Sequence, residues 1–409
     1  MAESVTIERL LTLIQATEDL CKTSGPDQPE TGTFLSILHR LKSEVANNDD
    51  IIPFVDSLSD VRIWNEEINH LKAERGGSKL KLDETASPWA ESYIIRKLAS
   101  LCRGENISEE DLIGIKSESF LTSHYRLLSK ISMHLVTSLD ADDEGDEAKG
   151  NGFLGAVGDA LQFCAWARCL ADKFSSQQEV GGIKEELAIL RRHLLANEAT
   201  KVLDFLKQGE DGTVKEEKVA ESSGRSLRRV DIVVGGVGIE LFLDLCLADL
   251  VLAAGLANSV TFHLSAVPEV VSMATETDLR TMVKALMAVN HIGLSQCHGR
   301  WKKRLQDGSW QLRSDVYWTL PFSYLDMASG APELYQQLTT SRLVIFRGDQ
   351  HYRKLVGAAE NVSNYAKLSG IPREVLPAPI CVLCQFKSQA GASGEELNPS
   401  TKATIDFYP

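Results

Sequence analysis

The feature that most constrains this chain is a change of hydrophobic period near Leu190. Upstream, apolar residues recur at helical spacing, as in Ile7-Leu10-Leu11-Ile14 and Phe34-Ile37-Leu38-Leu41. Downstream, short β-rich runs (His193 to Ala196, Val230 to Val234, Val260 to Leu264, Leu343 to Phe346) alternate with helical stretches such as Glu240 to Ala254 and Glu276 to Val289. That alternation predicts an α/β fold whose parallel sheet is covered on both faces. It divides the chain into a helical part, residues 1–185, and an α/β part, residues 186–409. A parallel sheet carries its sites beyond the carboxyl ends of its strands, so chemistry is expected just after Val234, Leu264 and Phe346.

Composition narrows the class. A hydrophobic fraction of 43% and a charged fraction of 24% are those of a globular protein. The longest apolar stretch, Ile239 to Ala254, is interrupted by Glu240, Asp244 and Asp249, so no membrane span is expected. The first twenty residues carry carboxylates early and lack a cleavable apolar block, which makes a cytoplasmic location the expectation. A net charge of −14 argues against general attraction to nucleic acid, though it leaves room for a local basic patch. The eight scattered cysteines read as reduced core residues, and the lone Cys381/Cys384 pair lacks the partners a zinc site needs. Two polar stretches, Asp140 to Gly152 and Gln208 to Arg225, are expected as a solvated loop and a linker.

Three segments carry candidate chemistry. In VDIVVGGVGIELFLDLCLADL a strand runs through Gly235, Gly236 and Gly238 into a helix. Glycines there let backbone N–H groups approach an anion, or simply make a tight turn. Glu240 and Asp244 share one face of that helix. In RLVIFRGDQHYRKL, Arg347, Asp349, His351, Arg353 and Lys354 crowd the turn after a strand, a grouping suited to a charged ligand or to an ordinary helix start. In HGRWKKRLQDGSWQLR, Arg300, Lys302, Lys303 and Arg304 flank Trp301, as in RNA-binding surfaces or on the wet face of a helix whose Trp points inward.

Taken in order, these stretches resemble the metal-dependent damage-control phosphatases, the acidic-residue-methyltransferase-like family. Other matching segments are Ile63 to Asn65, SPWAESYIIRKL (Ser87 to Leu98), VTFHLSAVPEVVS, VYWTLPFSYLDM, APELYQQL and APICVLCQFK. The resemblance implies a Rossmann-like α/β/α sandwich behind a helical bundle, and a divalent metal held by an Asp-Asn pair and a second Asp. Here Gly235 and Gly236 stand in the places of the pair, Met273 in that of the second Asp, and Ser265 in that of a lysine. His351 replaces an asparagine, and the last motif is reduced to Cys384, Gln385 and Lys387. Two glycines and a thioether are poor donors for a hard dication. The chain is therefore expected to hold no metal or other cofactor and to lack metal-dependent phosphatase activity.

The polar residues that persist suggest a repurposed enzyme. Resemblance to fungal arginine-containing cyclodipeptide synthases implies aminoacyl-tRNA as partner, with Glu240, Asp349 and His351 catalytic. Asp244, Arg353, Lys354 and Lys387 would then bind the small-molecule substrate at the strand ends, and Arg300, Lys302, Lys303 and Arg304 the tRNA. The alternatives are a phosphatase with a rearranged site and a noncatalytic protein that binds a metabolite or a partner.

Overall fold

The computed structural model describes residues 7–23, 29–77, 79–107, 124–135, 146–174, 182–208, 228–268, 273–357, 368–386 and 401–409. Its centre is a seven-stranded sheet: β1 (Leu194–Asn197), β2 (Arg229–Val233), β3 (Ser259–Ser265), β4 (Trp310–Asp315), β5 (Leu343–Arg347), β6 (Ile380–Phe386) and β7 (Lys402–Tyr408). They lie in the order β1-β7-β6-β5-β2-β3-β4. Strands β2 to β6 are parallel, as the alternation of elements predicts. Strand β7 runs antiparallel to β6, and β1 follows β7, so the edge formed by these two points the other way. The predicted strands fall within a residue or two of those observed.

The strand order has one reversal that matters. From β2 the chain steps outward through β3 to β4, then crosses back to place β5 on the other side of β2. The loops leaving β2 and β5 therefore diverge above the same point of the sheet. Such a switch point is where an open parallel sheet leaves a crevice.

Both faces are buried, so the central strands read as nearly continuous apolar runs. Val230, Ile232, Leu343, Ile345, Cys381 and Leu383 face one core, together with the helices Asp146–Ala165, Ile239–Ala253 and Ile292–Gln306. Val233, Val344, Phe346, Val382 and Cys384 face a second core, shared with the N-terminal helices and with Tyr317, Trp318 and Tyr324. Each core draws on residues from before and after position 185, so that position does not separate two packing units. The Ile239–Ala253 helix is buried on every side between the sheet and its neighbours, not amphipathic. Cys381 and Cys384 are core residues of β6, and Trp301 is fully buried.

The acidic stretch departs from expectation. Helix begins at Asp146, so its second half forms the first turns of Asp146–Ala165 instead of a loop. Residues 136–145 and 209–227 lie outside the described set. No helix among the described residues is long and apolar enough to cross a membrane.

Candidate functional site

Two glycines shape the crevice. Gly238, with φ +64, and Gly348, with φ +93, precede the helices Ile239–Ala253 and Asp349–Val356. These left-handed conformations turn each strand abruptly into its helix and set both helix N-termini at the switch point. The Leu383 carbonyl accepts from Gly348 N–H at 3.0 Å and from Arg347 Nη1 at 3.0 Å, tying the end of β5 to β6. Between these elements lies a small, partly open pocket. Its charged lining comprises Arg168, Glu240, Arg347 and Asp349, with Cys164, Cys384 and Gln385 beside them.

One guanidinium organises the pocket. Arg168, from the helix Ala167–Phe174, reaches Glu240 Oε1 at 3.2 Å and Asp349 Oδ1 at 3.4 Å. The other oxygen of Asp349 accepts from Arg353 Nη1 at 2.8 Å. Arg353 Nη2 donates to Glu91 Oε2 at 2.6 Å, and Glu91 Oε1 accepts from Arg9 Nε at 2.6 Å. The result is a string of six charges of alternating sign running from the N-terminal helix to Glu240. Burial pushes the Asp349 carboxyl up, but Arg353 and Arg168 outweigh it and hold Asp349 well below the usual carboxylate range.

Beneath this string lies a second pair. Asp244 is fully buried and accepts from Arg347 Nε. The Cys164 thiol also donates to Asp244 Oδ1, at 3.8 Å. Asp244 Oδ2 has no hydrogen-bond partner among the described residues. Burial raises the Asp244 carboxyl to about 6 despite the arginine.

The expected site residues separate into two groups. Glu240 and Asp349 meet in the pocket through Arg168, Asp244 lies beneath it on Arg347, and Arg353 braces Asp349 from behind. His351 and Lys354 turn away to the other face. His351 Nδ1 meets the Tyr324 hydroxyl at 2.5 Å, and Nε2 faces the Val234 carbonyl at 3.3 Å. Burial holds its pKa down at about 3. With both nitrogens engaged and the ring neutral, His351 fastens the end of β2 to the Tyr324 turn and is not placed for catalysis. Lys354 is buried and donates to the Trp318 carbonyl at 2.8 Å, so it faces no ligand space. Lys387 lies outside the described residues.

The basic run sits elsewhere. Arg300 and Arg304 close on buried Asp249 at 2.6 and 3.3 Å, leaving Lys302 and Lys303 exposed. Asp249 is nine residues beyond Glu240, roughly 14 Å along the same helix. The turn after this run bonds to the first residues of β3, where Val260 N–H donates to the Ser309 carbonyl at 2.8 Å. The run thus stands at the amino end of the strands, opposite the pocket.

Of the two arginines that organise the pocket, Arg347 stands in the turn already singled out in the sequence, whereas Arg168 drew no notice there. The one signal was a lone cation inside the apolar string CAWARCLA (Cys164 to Ala171).

The model of the damage-control phosphatase ARMT1-like domain matches residues 5–398. The chain belongs to that family. It is 32% identical over 382 residues to damage-control phosphatase ARMT1 of Xenopus laevis, covering 89% of this chain and 82% of that protein. With the human protein of the same name it shares 27% over 365 residues, covering 87% and 79%. A solved structure of a DUF89 family protein from Pyrococcus horikoshii aligns over 99% of both chains with 12% identity and a TM-score of 0.44.

The metal implied by the resemblance can be tested against this family member's own donors. Gly235 and Gly236 offer no side chain, and Met273 presents a buried thioether. A Cβ on Gly235 would fall 2.2 Å from the Arg347 carbonyl oxygen, so no side chain fits there without moving backbone. The nearby carboxylates are already taken by cations, Glu240 and Asp349 by Arg168 and Asp244 by Arg347. Among the described residues no three His, Cys, Asp or Glu side chains are grouped to hold an ion. These residues do not fit a hard dication.

Proposed function

We propose that this chain binds a small phosphate ester in the strand-end pocket and handles it without a divalent metal, through arginine instead. The observation that carries this reading is the placement of Arg168. It lies between Glu240 and Asp349 at the switch point, with its side chain about a third exposed. A guanidinium held by two carboxylates is oriented in advance, and its free N–H groups can meet phosphate oxygens in a forked geometry. The two helix N-termini add partial positive charge on the same side. Family membership supports a phosphorylated ligand, since the relatives carry the name phosphatase.

The aminoacyl-tRNA-dependent condensation expected from the sequence finds no such support. The basic run lies at the far end of the sheet with two of its four cations spent on Asp249. The acidic groups meant for a cationic substrate side chain already hold an internal guanidinium.

Two measurements test the proposal. Phosphate release from a panel of sugar phosphates is expected to be the same with a chelator as with magnesium, manganese, cobalt or nickel. Brisk turnover that appears only with one of these ions overturns it. In calorimetry, Arg168→Ala is expected to weaken inorganic phosphate binding by roughly ten- to a hundredfold, the equivalent of about 1.5–3 kcal/mol for a charge-assisted contact. Unchanged affinity would place the anion elsewhere.

A further inference from the structure

Arg347 lines the pocket, yet its charge is directed inward, onto Asp244. Among the described residues, three titratable or charged groups face Asp244. Arg347 approaches from β5, the Cys164 thiol from the Asp146–Ala165 helix, and Glu240 from one turn earlier on its own helix. Glu240 is itself neutralised by Arg168. Among the described residues Asp244 therefore has a single cation, and its Oδ2 is buried without a donor. A buried carboxylate satisfied on one oxygen only is costly while ionised and much less so once neutral.

The string and the pair together are balanced. Arg9, Arg168, Arg347 and Arg353 face Glu91, Glu240, Asp244 and Asp349, four charges of each sign. An arriving dianion upsets that balance, and the cheapest correction is a proton on the least satisfied carboxylate. We infer that anion binding in the strand-end pocket is coupled to proton uptake by Asp244, which transfers Arg347 from its internal carboxylate to the bound anion. The proton comes from solvent, Arg347 keeps its charge, and Asp244 becomes neutral. This inference rests on the reading of the pocket as an anion site. Because the Asp244 carboxyl sits near 6, the coupling falls in a measurable range.

Sulfate is a suitable probe, since it stays a dianion throughout that range. Its dissociation constant for the intact protein is expected to rise by up to about tenfold per pH unit above about pH 6. Calorimetry near pH 7 in two buffers of different protonation enthalpy should show net proton uptake on binding. Asp244→Asn is expected to bind sulfate with an affinity independent of pH, and at about pH 7.5 at least tenfold more tightly than the unaltered chain. Sulfate binding with no proton uptake in the unaltered chain overturns the coupling, and that result needs no variant to fold. A pH slope that survives in Asp244→Asn overturns it equally. No sulfate binding at any pH would instead remove the anion site itself, and the coupling with it.

Discussion

Replacing Arg347 with methionine lowers the stability of the protein near neutral pH by about 3–5 kcal/mol, the usual cost of stranding a buried charge. Asp244 is fully buried, and its one cation among the described residues is Arg347. Methionine roughly preserves the volume, so packing contributes little to the loss. The effect also carries a pH signature. Asp244 titrates at about 6 in the fold against an ordinary value of 3.8. For such a raised group the stabilising contribution is complete below the unfolded value and is lost as pH rises through the folded one. Without Arg347 the folded value climbs further, so acidification from about pH 7 to about pH 5 should return roughly 1 kcal/mol of the loss, the parent value of about 6 lying one unit below pH 7. Urea unfolding at the two pH values measures this. A loss below about 1 kcal/mol, or one equal at both pH values, means that Asp244 is not held as described.

Gly235→Asp is expected to leave little folded protein, whereas Gly236→Asn should fold within about 1 kcal/mol of the parent. The two positions adjoin, but a new Cβ meets different obstacles. At Gly235 it would lie 2.2 Å from the Arg347 carbonyl oxygen and 2.7 Å from its carbon. Relief there requires the ends of β2 and β5 to part at the switch point. At Gly236 the obstacle is the Glu240 carboxylate at 2.1 Å, the movable tip of a side chain. Soluble yield and thermal unfolding of the two variants decide the matter. Equal tolerance of both would show that the strand ends separate easily and that the close approach of β2 to β5 is incidental. The contrast also bears on the site, because a carboxylate at Gly235 demands a different backbone, not merely a different residue.

Much of this molecule was legible in its sequence. The change of period located β1, β2, β3 and β5 and the helices between them, because a strand buried on both faces is written as a short, nearly continuous apolar run. The buried CxxC and the inward turn of Trp301 follow from the same pattern. That Gly235, Gly236 and Met273 carry no side-chain oxygen is visible from residue type. Which charges meet could not be read this way. Arg168 and Asp349 are 181 positions apart, and Asp244 and Arg347 are 103 apart. Within GDQHYRKL, adjacent residues of one short helix go to opposite ends of the problem: Asp349 and Arg353 to the pocket side, His351 and Lys354 to the Tyr324 and Trp318 face. Composition put all four in one turn, but rotation by about 100° per residue distributes them around the axis. The partner of a buried charge is set by which element packs against it, and only the order of strands in the sheet decides that.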